Sequence, residues 1–143
     1  MDDSHRRVLV IGIGNALRGD DGVGPWLARR VGGRCVHQLT PELALALQGL
    51  DHVLFVDACR TSQRPRLRPL TPGSSPAVSL GSHGLAPAGL LAMGRLLHGR
   101  APEAQLLLVP ARVFGHGATL SPAVRQQLPA AEALLRQWLA AHA

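Results

Sequence analysis

The chain has 143 residues, of which 46% are hydrophobic and 17% are charged, and its formal net charge is +6 at pH 7. This composition is too apolar for a disordered protein, and the length suits one domain with a substantial core. The basic residues are scattered arginines and only 3% of the chain is aromatic, which argues against a nucleic-acid surface that stacks bases.

We expect a single domain over residues 1–143, with residues 1–6 disordered. No apolar run reaches the roughly 18 residues that a membrane span needs, and the N-terminus lacks a signal-peptide pattern. The sequence therefore predicts a cytoplasmic protein without membrane or nucleic-acid partners. Its cysteines, Cys35 and Cys59, lack the CxxC spacing and are predicted to be buried thiols without a disulfide.

Short apolar runs alternate with helix-like segments along the chain. Strands are predicted over 8–13, 35–39, 52–58 and 106–113, an edge strand with its loop within 60–71, a mobile loop over 72–82, and helices over 21–31, 40–48, 85–97 and 121–141. The alternation predicts an α/β domain whose largely parallel sheet carries helices on both faces. In such sheets, ligands bind beyond the carboxyl ends of the strands.

Polar residues that suit a metal site follow these strands. Asp20 and Asp21 come after the first strand, Asp57 ends the third, and His83 lies in a glycine-flanked loop before a helix. Two carboxylates and an imidazole at one sheet edge make a donor set that suits Zn²⁺ or Ni²⁺. Each residue also has a simpler interpretation: Asp21 as a helix N-cap, Asp57 as the cap of a turn, and His83 as a polar loop residue.

The glycine turn after the first strand also resembles a dinucleotide-binding turn. Gly12 and Gly14 fit that pattern, but Leu17 stands where the third glycine belongs, and the following carboxylates repel phosphate. A non-enzymatic nucleotide- or metal-binding module on a Rossmann-like sheet is the alternative interpretation.

Four motifs, taken in order, resemble those of the hydrogenase maturation proteases, the endopeptidases that process [NiFe]-hydrogenase large subunits. They are GIGNALRGDDGVG at 12–24, FVDA at 55–58, SHG at 82–84 and LSP at 120–122. The first motif is the specific one, and the resemblance spans roughly residues 8–139. It implies a three-layer αβα sandwich with a twisted, mostly parallel five-stranded sheet.

The resemblance also implies an activity and its residues. Asp21, Asp57 and His83 correspond to the metal-contacting and catalytic residues of the family, which has Glu or Asp at the position of Asp21. Such proteases recognise Ni²⁺ already inserted in the large-subunit precursor and then remove its C-terminal extension; Zn²⁺ or a similar ion is expected to substitute in vitro. Asp20 or Asp21 is the expected proton acceptor.

The segment HQLT is a candidate for partner recognition. In the family, the corresponding stretch varies with the hydrogenase, and this form resembles that of proteases serving the NAD(P)-linked bidirectional enzymes. The residues predicted to recognise substrate or partner are His37, Gln38, Leu39, Thr40, Asn15 and Asp20. An alternative remains open, in which His37 ends a strand and Thr40 caps a helix. His116 is predicted to be a loop residue.

Overall fold

The structure is a computed structural model that describes residues 6–73 and 85–143. Outside these ranges lie residues 1–5 of the segment predicted to be disordered, most of the predicted loop over 72–82, and His83. No helix of the described part is long and apolar enough to cross a membrane.

The described residues form five strands and four α-helices. The strands are β1 (Val8–Ile13), β2 (Arg34–Val36), β3 (His52–Cys59), β4 (Arg66–Leu70) and β5 (Glu103–Pro110). The helices are α1 (Val23–Arg30), α2 (Leu43–Ala46), α3 (Pro87–His98) and α4 (Pro122–His142), with a short 3₁₀ helix (Gly19–Gly22) before α1. The strand order is β2-β1-β3-β5-β4, and β4 alone is antiparallel to its neighbour.

Alternate residues of the central strand β3 face two separate helix layers. Val56 belongs to the core between the sheet and helices α1 and α4, together with Leu27 and Leu135. Phe55 points to the opposite face and packs in the core that includes Leu91 of α3. The predicted three-layer fold with a mostly parallel five-stranded sheet is therefore confirmed.

Close packing of α1 against the sheet explains one of the motif glycines. A Cβ atom added to Gly24 would meet the carbonyl oxygen of Val56, and would lie 2.6 Å from that of Ile13. Only glycine lets the helix approach the strand ends this closely. This glycine serves helix–sheet packing and needs no bound phosphate to explain it.

Several predicted boundaries shift. The strand predicted over 106–113 begins earlier, at Glu103, because its first residues pair with β3, and it ends at Pro110. Helix α2 begins at Leu43 without a side-chain cap, so the predicted N-cap role of Thr40 is wrong. The predicted N-cap of the last helix is confirmed, since the Ser121 side chain accepts a hydrogen bond from the backbone N–H of Val124.

The prediction of buried cysteines is also wrong. Cys35 is exposed and Cys59 is half-buried, and both are free thiols. Cys35 lies on β2, a three-residue strand at the edge of the sheet that no further strand covers within the described residues. A short edge strand buries little of its surface, which is why a small apolar side chain remains accessible there.

Candidate functional site

A polar cavity of about 140 Å³ opens at the carboxyl ends of β1 and β3. We call it the acidic pocket; it is lined by Ile13, Gly14, Asn15, Arg18, Asp21, His37, Gln38 and Asp57. The parallel register of the strands produces this convergence: Gly12 of β1 lies opposite Val56 of β3, so the residues that follow both meet at one edge. The structure therefore brings together Asp21 and Asp57, which are distant in sequence.

Asp57 is a half-buried acid of the pocket. Its side chain lies on the sheet face that Phe55 also occupies, and its Oδ1 atom accepts a hydrogen bond of 2.8 Å from the backbone N–H of Ala58. Burial raises the pKa of Asp57; that hydrogen bond opposes the rise and the charge of Asp21 adds to it, giving a pKa of about 7. At neutral pH this carboxyl therefore exchanges readily between its acid and carboxylate forms.

Asp21 is held by the turn that follows β1. Its Oδ2 atom accepts a hydrogen bond of 2.7 Å from the backbone N–H of Asn15, whose own Oδ1 atom accepts one of 2.9 Å from Leu17 N–H. Helix α1 has Gly22 at its N-cap position and no side-chain cap. The carboxylate of Asp21 thus faces the pocket instead of capping the helix, which was its simpler interpretation.

The backbone at Gly14 packs directly against the backbone of Asp21. Its φ of 149° lies in the region that favours glycine, and an added Cβ would collide with the backbone carbonyl of Asp21. The glycine therefore allows the turn to close on itself, so that the Asp21 side chain projects toward Asp57.

Asp20, predicted to contact substrate or accept a proton, is fully buried and points away from the pocket. Its carboxylate accepts hydrogen bonds from the backbone N–H groups of Arg112, Val113 and Ser121 and from the Ser121 hydroxyl, at 2.7–2.9 Å. Burial opposes ionisation of Asp20, but these bonds outweigh it and lower its pKa. Its described surroundings fit an ionised clamp between two loops, and they give it no route to substrate.

The predicted recognition segment divides between surface and core. His37 and Gln38 line the acidic pocket, directly after β2. Leu39 is only 3% exposed and packs in the core below α2 and α3. The backbone carbonyl of Thr40 accepts a hydrogen bond from Leu43 N–H, which starts the turn into α2. Only the first half of the segment is therefore in a position to contact a ligand.

Arg18 is a pocket residue that the sequence reasoning did not single out. It lies in the same loop as Asp20 and Asp21 and is exposed, and it lines the pocket that also contains Asp57. A charged residue inside the specific motif was the available signal. His116, by contrast, is exposed in the loop after β5 and is not among the pocket residues.

The pocket combines two carboxylates with the imidazole of His37 and the guanidinium of Arg18. Among residues 6–73 and 85–143, no three His, Cys, Asp or Glu side chains are arranged to hold a metal ion. A carboxyl with a pKa of about 7 beside a second carboxylate is chemically able to accept a proton or to contact a cation. The phosphates of a nucleotide would be repelled by the same pair.

Comparison with solved structures identifies the fold. The hydrogenase maturating endopeptidase HybD from E. coli aligns with a TM-score of 0.70 at 21% identity, over 90% of this chain and 89% of that chain. The [NiFe] hydrogenase maturation protease HybD from Thermococcus kodakarensis gives 0.67 at 19% identity, over 92% and 98%. HycI, a [NiFe] hydrogenase maturation protease from T. kodakarensis KOD1, gives 0.66 at 20% identity, over 94% and 93%.

No protein-family model and no curated protein sequence matches the chain. At these identities the alignments establish architecture, and they cover nearly the full length of both chains in each pair. The chain has the fold of the hydrogenase maturation proteases.

Proposed function

We propose that this protein is a cytoplasmic endopeptidase that removes the C-terminal extension of a [NiFe]-hydrogenase large-subunit precursor after nickel has been inserted. The observation that carries the proposal is the convergence of Asp21 and Asp57 on one pocket, in a chain with the maturation-protease fold. The motif GIGNALRGDDGVG supplies the first of these acids and supports the same assignment.

In the proposed reaction, Ni²⁺ belongs to the substrate. Asp21 and Asp57 contact it through their carboxylates, and His83 is its third contact on the strength of the SHG motif alone. Because Ni²⁺ favours the ionised carboxylate, Asp57 gives up its proton when the loaded precursor binds. The pKa of about 7 makes this release easy near neutral pH.

The hydrolytic step needs a polarised carbonyl and a proton acceptor. Nickel polarises the scissile carbonyl, a water molecule attacks its carbon, and the proton of that water passes to a carboxylate and then to the leaving amine. Since the acceptor positions of Asp20 are occupied by backbone and hydroxyl donors, we assign the proton acceptor to Asp21.

The test compares nickel-loaded and nickel-free precursor, with shortening followed by mass spectrometry. The wild type should shorten only the loaded form, and Asp57→Asn should slow cleavage by roughly 100-fold or more. Asp51→Asn is the matched control, because Asp51 precedes β3 at the opposite sheet edge. If neither precursor is shortened, or if both variants behave as wild type, the proposal fails; binding of NAD or ATP instead would favour the nucleotide-binding alternative.

The proposed role of His83 as a nickel contact is tested with a second histidine, His116, as the control. His83→Ala should lower cleavage of the nickel-loaded precursor as strongly as Asp57→Asn. His116→Ala should leave the rate near that of wild type, since His116 is exposed outside the pocket. Equal rates for the two histidine variants would remove His83 from the proposed site. Replacing Ni²⁺ by Zn²⁺ in the precursor tests whether another ion supports cleavage.

We further propose that the segment HQLT selects a precursor of the NAD(P)-linked bidirectional hydrogenases. The support is its resemblance to proteases of that group and the position of His37 and Gln38 on the pocket wall. Because Leu39 is a core residue, only these two positions should be exchanged for those of another maturation protease. A change in preference between two precursors is expected; unchanged preference would contradict the hypothesis.

A further inference from the structure

We infer that Leu17 and Val113 form an apolar docking surface for the hydrogenase precursor, beside the acidic pocket; this inference rests on the proposed function. Leu17 is 68% exposed and Val113 is 54% exposed. The other exposed large hydrophobic residues of the described part are Leu45, Leu96 and Leu97, on or beside α2 and α3. Leu17 and Val113 are thus the two that lie in the loops after β1 and β5, and Leu17 stands close in sequence to the pocket residues Asn15 and Arg18.

Backbone hydrogen bonds hold these two loops side by side. Gly117 N–H donates to the carbonyl of Leu17 at 2.9 Å, and Gly19 N–H donates to the carbonyl of Gly117 at 2.8 Å. Asp20 N–H donates to the carbonyl of Val113 at 2.8 Å, while the Asp20 carboxylate accepts from Val113 N–H at 2.8 Å. Leu17 and Val113 are therefore presented from adjacent strips of backbone that are fixed to each other.

This fixation matters for binding. An apolar side chain on a pinned backbone loses little conformational entropy when a partner covers it, so more of its burial free energy appears as affinity. Apolar side chains exposed from ordered loops beside a site are also available to contact a partner. The surface is consequently suited to an apolar segment of another polypeptide.

Continuity with the pocket identifies that polypeptide. Leu17 lies between Asn15 and Arg18, both of which line the acidic pocket, and its N–H donates to the Asn15 side chain at 2.9 Å. An extended peptide advances about 3.3 Å per residue. A precursor whose chain leaves the pocket on the side of Asn15 and Arg18 therefore passes Leu17 within a few residues, and this is the path that we infer.

Two near-isosteric variants test the inference against a matched control. Leu17→Asn and Val113→Thr exchange exposed apolar groups for polar ones, while the hydrogen bonds above involve only backbone atoms of these two residues. Leu96→Asn makes the same change at a leucine that is 71% exposed in the last turn of α3, at the opposite edge of the sheet. The measurement is steady-state cleavage of nickel-loaded precursor.

We expect Leu17→Asn to raise KM roughly ten-fold with kcat nearly unchanged, Val113→Thr to raise it less, and Leu96→Asn to behave as wild type. The dissociation constant of the nickel-free precursor, measured by calorimetry, should rise by a similar factor for Leu17→Asn. That binding measurement separates the docking surface from the proposed function, because it needs no cleavage. If Leu17→Asn binds the precursor more weakly than wild type while wild type cleaves no precursor, only the proposed function fails.

Equal KM and equal dissociation constants for Leu17→Asn and Leu96→Asn would overturn the inference. Sedimentation of the free protein tests whether a second copy of this chain occupies the surface instead. If Leu17→Asn dissociates a dimer while its precursor binding stays at the wild-type value, the surface belongs to self-association and the inference is wrong.

Discussion

At the scale of single residues, two neighbouring acids of one motif have opposite environments. Asp20 is fully buried and accepts hydrogen bonds from the chain around Arg112 and Ser121, whereas Asp21 lines the acidic pocket. Asp57 lies across that pocket with few compensating donors, and its pKa is raised to about 7. The ionisation of Asp57 therefore costs stability, and under the proposed function a bound cation would offset that cost.

The cost predicts a pH dependence of stability. Because the pKa of Asp57 is higher in the folded protein than its ordinary value of 3.8, the penalty is absent below about pH 4, grows as pH rises to about 7, and is constant above. Asp57→Asn should therefore be more stable than wild type at pH 8, by up to about 4 kcal/mol, and equal to it near pH 4. Urea unfolding across this range measures the difference; a difference that does not grow with pH would contradict the pKa assignment.

At the scale of elements, the loop after β1 and the loop after β5 form one unit joined by Asp20. Ser121, which accepts the bond from Val124 N–H that caps α4, also donates its hydroxyl to the Asp20 carboxylate at 2.8 Å. A single buried carboxylate thus connects the turn that carries Asp21 to the start of the last helix.

Removing this connection should destabilise the protein. Asp20→Ala leaves the backbone N–H groups of Val113 and Ser121 without their acceptor, at an expected cost of roughly 2–4 kcal/mol in the free energy of unfolding. Asp21→Asn is the control and should change stability far less. Asp21 accepts one backbone hydrogen bond, from Asn15 N–H, and the amide oxygen of the variant can still accept it. Similar unfolding midpoints for the two variants would argue against the clamp.

The contact between α1 and the sheet gives a second prediction at this scale. Gly24→Ala places a methyl group against the carbonyls of Ile13 and Val56, so the helix must move away from the strand ends that carry the pocket. We expect a loss of roughly 2–3 kcal/mol of stability, together with lower cleavage activity. Gly115→Ala is the control, because a Cβ at Gly115 meets nothing within 4 Å; thermal unfolding of the two variants should differ clearly.

At the scale of the whole molecule, the two hydrophobic cores share the central strands of one sheet. Leu54 and Val56 of β3 face α1 and α4, and Val53 and Phe55 face α2 and α3. A strand that contributes to both cores cannot lose one of them without disturbing the other. Two cores that share strands are expected to unfold together, as one domain does. The single-domain organisation itself stays a prediction until unfolding is measured.

Unfolding of a core variant provides that measurement. Leu91→Ala removes a fully buried side chain from the core on the α3 face, at an expected cost of about 2–5 kcal/mol. Trp26 and Trp138 both report on the opposite face. If the molecule unfolds as one unit, tryptophan fluorescence and far-UV circular dichroism shift to the same new urea midpoint. A fluorescence transition that stays at the wild-type midpoint would indicate two independent units.

The order of elements, the layer architecture and the convergence of the acidic pair after β1 with Asp57 were all predictable from the sequence. These follow from local patterns: apolar runs of strand length mark β1 and β3, and parallel strands necessarily bring their carboxyl ends to one edge. Even the cap of α4 at Ser121 was predictable, because capping depends on neighbouring residues only.

The tertiary structure alone decided which acid of the adjacent pair faces the pocket. Consecutive residues of a 3₁₀ turn point in different directions, and the donors that retain Asp20 come from Arg112, Val113 and Ser121, some ninety residues and more along the chain. The same applies to the exposed Cys35, whose burial depends on the strand order. No local pattern carries such information, because long-range hydrogen bonds and neighbours in the sheet exist only once the chain has folded.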